Sequence, residues 1–127
     1  KDLPCYFEVD NYILVHAGLN FKDEEGNEAQ NHSFLWRMHN PFRDRKSMLW
    51  IRWWYDEIDW QWLQDRVIIH GHTPIITDEI WDMHEVLGED QVLDIDNGCF
   101  AKYKEGMGQL CAFDMTNREL YFQEHID

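Results

Sequence analysis

At 127 residues the chain has room for one hydrophobic core, so a single domain over residues 1–127 is expected. Apolar residues make up 44% and aromatics 15%, against disorder, while 11 basic residues set against 25 acidic ones leave a net charge of −14 that repels a phosphate backbone and argues against nucleic-acid binding. No apolar run reaches the length of a membrane span, the charged opening KDLPCYFEVD is no signal peptide, and Cys5, Cys99 and Cys111 form no CxxC pair, so reduced, buried thiols in a cytoplasmic, membrane-free protein are expected.

The first predicted elements are two strands within CYFEVDNYILVHAGL, joined at Asp10-Asn11, residue types that tolerate left-handed backbone. Tyr12 to Val15 is nearly all apolar, as for a strand buried on both faces, and it stops at His16-Ala17-Gly18. NFKDEEGNEAQNHS is polar and reads as an exposed loop. HSFLWRMH predicts a short helix, broken at NPFRDR because a residue before proline disfavours the helical region. EIDWQWLQDR predicts a second helix, with Tyr55, Ile58, Trp62 and Leu63 on one packed face, and the aromatics of this segment read as core. Val67 to Ile69 predicts a buried strand. QVLDIDNGC predicts a half-buried one, Leu93 and Ile95 alternating with Asp94 and Asp96. GQLCAFDM and RELYFQEH, on either side of a Thr116-Asn117 turn, predict the last two strands.

Chemistry gathers where the apolar strands end. In VIIHGHTP, His70 and His72 lie two residues apart, so in an extended chain both face one side. Gly71 permits close backbone approach and an unusual turn, and Pro74 stops the strand. ILVHAGL is a second apolar strand that delivers a histidine, His16, at its carboxyl end. Taken singly, each imidazole reads as a core histidine bonded to a carbonyl. Taken together, they read as part of a metal site, since neutral imidazole is the commonest metal ligand and strand ends are rigid. Two imidazoles do not complete such a site, which wants about four to six ligands.

In the order ILVHAGL, MLWIR, VIIHGHTP, VLDIDNGC and GQLCAFDM, from Ile13 to Met115, the chain resembles the calcineurin-like metallophosphoesterases. Within them it is most similar to the branch of bacterial serine/threonine protein phosphatases and symmetrical diadenosine tetraphosphatases. The resemblance implies an α/β (α+β) fold, a β-sandwich flanked by helices, and a two-metal phosphoester hydrolase that attacks with an activated water. By the same resemblance His16 and His72 bind one of two divalent ions, manganese, iron or zinc, and Arg52 is the catalytic contact to the substrate phosphate. A guanidinium suits that contact because its fork of donors matches phosphate oxygens. Read without the family, Arg52 is a surface cation paired with Asp56 or Glu57. His70 becomes a neighbour that tunes the site, while Asp94 and Asp96 read as structural, with carboxylates also able to hydrogen-bond a histidine from behind. The implied substrate is a phosphoprotein or a dinucleoside polyphosphate.

The family also carries Asp-x-His, Gly-Asp-x-x-Asp and Gly-Asn-His-Glu segments ahead of the HAG strand, and none occurs before His16 in this sequence. EGNEA around Asn27 echoes the last, but it lacks the histidine and comes after His16. The chain is therefore expected to be the C-terminal portion of the phosphoesterase domain, inactive alone, with the N-terminal half as its partner. The surface that half would cover is expected to drive self-association. The alternative is a non-catalytic scaffold or interaction domain that keeps the fold without the chemistry.

Overall fold

A computed structural model describes residues 3–22 and 40–124. The helix expected in HSFLWRMH and the acidic loop beyond Lys22 lie outside the described residues. Strands β1 (Tyr6–Val9) and β2 (Tyr12–Val15) pair antiparallel across a tight turn in which Asp10 takes the left-handed conformation, φ 53°. β3 (Val67–His70) lies parallel beside β2, and β4 (Val92–Asp94) parallel beside β3, giving a four-stranded sheet in the order β1-β2-β3-β4. β5 (Gln109–Asp114) and β6 (Glu119–Glu124) form a separate antiparallel hairpin. Four α-helices stand among the described residues: α1 (Arg45–Trp50), α2 (Trp60–Leu63), α3 (Thr77–Glu85) and α4 (Leu87–Asp90). The result is a mixed α/β fold, and no described helix is long and apolar enough to cross a membrane.

The apolar runs of β2 and β3 arise from cover on both sides of the sheet. On one side Ile13, Val15, Ile68 and Val92 pack with Met48, Trp54, Ile58 and Leu63. On the other, Tyr12, Val67, Ile69 and Leu93 pack with Ile80 of α3, Leu87 of α4 and Leu120 of β6. Each such side chain contributes roughly 1.5–3 kcal/mol when fully withdrawn from water. Tyr12 also ties the hairpin to the sheet: its hydroxyl donates to the Met115 carbonyl at 3.1 Å and accepts from Arg118 Nε at 2.9 Å.

Three expectations are corrected. The helix expected in EIDWQWLQDR is split into a 3-10 turn, Tyr55–Glu57, and the short α2, because the Asp59 side chain accepts from Gln61 N and restarts the helix there. Gln64, at φ 57°, then ends it. Ile58 and Leu63 are buried as expected, but Tyr55 is 41% exposed and belongs to no packed helical face. The last strand of the sheet is shorter than expected and fully buried, Asp94 included at 1% exposure. It stops because Asp94 Oδ1 accepts from Asp96 N and Asp96 Oδ1 accepts from Gly98 N, two side-chain turns in succession. The cysteines are free, as expected, but half-buried. Before Pro41, Asn40 is extended as expected, at φ −126° and ψ 109°.

Candidate metal centre

The parallel register of β2 and β3 sets Leu14 beside Ile69, so both chains leave the sheet at the same level. One further bond clamps the two strand ends together: Gly71 N donates to the His16 carbonyl at 2.8 Å. His16 and His72 therefore meet. His16 Nε2 lies 3.1 Å from His72 Nδ1, the ring centres are 4.9 Å apart, and the planes are inclined at 61°.

His72 sits at φ 72°, a left-handed conformation that side chains other than glycine adopt rarely and that concentrates at functional sites. Glycine chemistry predicts the unusual turn at Gly71, whereas in the structure it falls on His72. A Cβ on Gly71 would stand 3.4 Å from Asp96 Cβ, an ordinary contact. The glycine of HAG is the demanding one, since a Cβ on Gly18 would stand 2.1 Å from the Trp54 indole nitrogen. That indole lies there because its N–H donates to the Ala17 carbonyl at 3.2 Å.

The Ala17 amide bonds the Met48 carbonyl at 2.8 Å, which docks α1 against the HAG turn. α1 and the residues after it bring Trp50 and Arg52 to the site. The Trp50 ring stands edge-on to His72 at 5.7 Å, and the Arg52 charge reaches His72. Among the described residues Arg52 is in no ion pair, so pairing with Asp56 or Glu57 is not observed; Glu57 is bonded to Lys22 at 2.9 Å. Desolvation first, then the neighbouring His16 and Arg52, lower the pKa of His72 below its ordinary 6.5. A lowered pKa favours the neutral ring, the form that binds a metal.

His70 does something different. Its Nδ1 is 2.9 Å from the Gly71 carbonyl, which only accepts, so Nδ1 carries the proton and Nε2 accepts from the Tyr55 hydroxyl at 2.6 Å. Both nitrogens are engaged. Burial, above all, holds His70 down at about pKa 4, and burial with the Asp94 charge pushes the Tyr55 phenol well above its usual value. Tyr55 is a site residue that the sequence does not reveal, because helical spacing assigns it to the core. Asp94 and Asp96 hold backbone turns, in keeping with the structural reading of both, and among the described residues neither is hydrogen-bonded to a histidine. Asp96 acts through its charge, which favours protonation of His70 and His72. Burial chiefly raises Asp94 to about 7.

From the histidine pair an open groove of about 590 Å³ runs over Leu14, Ile69 and Ile95 toward Phe7 and Leu110. Among the described residues no group of three or more histidine, cysteine, aspartate or glutamate side chains converges as a metal cluster would. Fold and site thus define a mixed α/β protein with paired histidines at the ends of adjacent parallel strands. Compared with known proteins, the chain matches no family model, no curated protein and no solved structure.

Proposed function

We propose that the chain is part of a metal-dependent phosphoester hydrolase of the serine/threonine protein phosphatase kind. In this reading His16 and His72 hold a divalent ion and Arg52 holds the substrate phosphate. The observation that carries the reading is the 3.1 Å separation of His16 Nε2 and His72 Nδ1. Metal–imidazole bonds are about 2.0–2.1 Å, so two such ligands at right angles stand about 3 Å apart. The donors fit manganese, iron or zinc. When bound, the ions would supply Lewis acidity toward a phosphoryl oxygen and a water of lowered pKa.

The chain's own residues do the rest. Arg52, exposed and free of a carboxylate partner among the described residues, orients the phosphate and offsets its charge. Trp50 walls the metal side, and His70, held by Tyr55, keeps the turn that aims His72. Two nitrogens are too few for a tight site, so the remaining ligands come from a complementary segment, for which the groove over Leu14 and Ile69 offers an open face. That completed sandwich acts on phosphoserine or phosphothreonine proteins or on dinucleoside polyphosphates.

The test is hydrolysis of p-nitrophenyl phosphate with manganese. The chain alone is expected to turn over little. Mixed with the N-terminal half of a phosphatase of this branch, it is expected to gain activity that His72→Ala abolishes and Arg52→Ala lowers about 100-fold, as for loss of one preorganised contact to developing charge. Strong turnover by the chain alone that survives His72→Ala contradicts the proposal. The incomplete donor set favours one second reading, a scaffold that keeps the fold without chemistry. It predicts that no complementary half restores activity.

A further inference from the structure

A second groove, of about 520 Å³, lies between the Tyr55–Glu57 turn, α3 and the start of β4. Its floor is apolar, made by Ile58, Ile75, Met83 and Val92, and Trp60 and Tyr55 stand beside it with 49% and 41% of their surfaces exposed. Around the rim are Asp56, Glu79, Asp82 and Asp90, all exposed and, among the described residues, in no ion pair. These carboxylates do not converge as metal ligands do. They surround an apolar floor. That arrangement suits a cation carried on a hydrocarbon stem, because the stem covers apolar surface while the charged head meets carboxylates and aromatic faces.

We propose that this groove docks an arginine or lysine side chain of an extended peptide. The stem lies on Ile58 and Met83, the head reaches Glu79 and Asp82, and Trp60 and Tyr55 offer their faces to the cation. Charge complementarity selects a basic partner over an apolar one, since an apolar occupant would desolvate the rim carboxylates without replacing their water. Tyr55 at the edge of this groove is bonded through its hydroxyl to His70, but the groove shares no lining residue with the one at the histidine pair. Docking itself is independent of phosphoester chemistry and applies to an unphosphorylated peptide.

Titration calorimetry with a capped Leu-Arg-Arg-Leu peptide tests it, against the same peptide with citrulline replacing each arginine. The arginine peptide is expected to bind, and the citrulline peptide to bind at least about tenfold more weakly. Glu79→Gln with Asp82→Asn is expected to weaken binding about tenfold, and Trp60→Ala about fivefold, while His72→Ala leaves it unchanged. Glu119→Gln with Glu124→Gln removes the same charge from the hairpin and is expected to have no effect. No measurable binding of the arginine peptide, equal losses in the groove and hairpin variants, or displacement of the peptide by spermidine at equal affinity overturns the proposal. The first denies a site, the second leaves only diffuse attraction to an acidic protein, and the third assigns the groove to polyamines.

Discussion

At the scale of single residues, VIIHGHTP holds two histidines with separate fates, and the difference lies in partners outside the motif. Extended spacing puts His70 and His72 on one side, but the chain leaves the strand at Gly71, and the positive φ of His72 swings its ring toward His16. His70 turns inward onto Tyr55. Sequence places these imidazoles at strand ends; it has no means of showing the turn, because left-handed backbone at a histidine is set by tertiary contacts. The buried polar groups have consequences for pH. His70 falls from 6.5 in an open chain to about 4 when folded, so its contribution is fully present above pH 6.5 and is lost as pH falls through about 4. Asp94 moves the other way, from 3.8 to about 7, so its contribution is present below 3.8 and lost as pH rises through 7. Over pH 4 to 6.5 the two slopes oppose each other. In Asp94→Asn the opposing slope is gone and His70, with His72 lowered in the same direction, remains, so urea denaturation is expected to show stability rising from pH 4 to 6.5; a flat profile in that variant contradicts the assignment.

At the scale of elements, apolar patterning locates β2 and β3 closely, since strands covered on both faces leave an uninterrupted hydrophobic record. It fails where side chains bond the backbone. Asp59 divides what periodicity joins, and Asp94 and Asp96 end β4 early. Asn97 shows the same effect most strongly. At 2% exposure its amide nitrogen donates to the Ile75 and Gly106 carbonyls, and its oxygen accepts from Gln109 N. One side chain therefore fastens the segment after β3 and the loop before β5 to the end of β4. Asn97→Ala strands these buried groups and leaves a small cavity, so it is expected to destabilise the fold by about 3 kcal/mol. A loss below about 0.5 kcal/mol in chemical denaturation denies Asn97 that role. Asn97→Asp keeps the acceptor but sets a carboxylate oxygen against two carbonyl oxygens in a buried site, and is expected to recover none of the loss.

At the scale of the whole molecule, the strands that lead to His16 and His70 run side by side in a mixed four-stranded sheet. Apolar side chains left open on β1 and β5, Phe7 at 56% and Leu110 at 62% exposure, border the groove that leads to the histidines. An apolar surface of this kind favours association. Light scattering is expected to show the chain alone self-associating, and Phe7→Ser with Leu110→Ser to reduce it; a monodisperse monomer at high concentration contradicts this. The claim on which the functional reading stands is narrower, and it is tested by the imidazole NMR spectrum with substoichiometric manganese. The account predicts paramagnetic broadening of His16 and His72 before His84 and before the acidic surface, lost when either of the pair is replaced by alanine. Broadening spread over the carboxylates, with His16 and His72 unaffected, would contradict it.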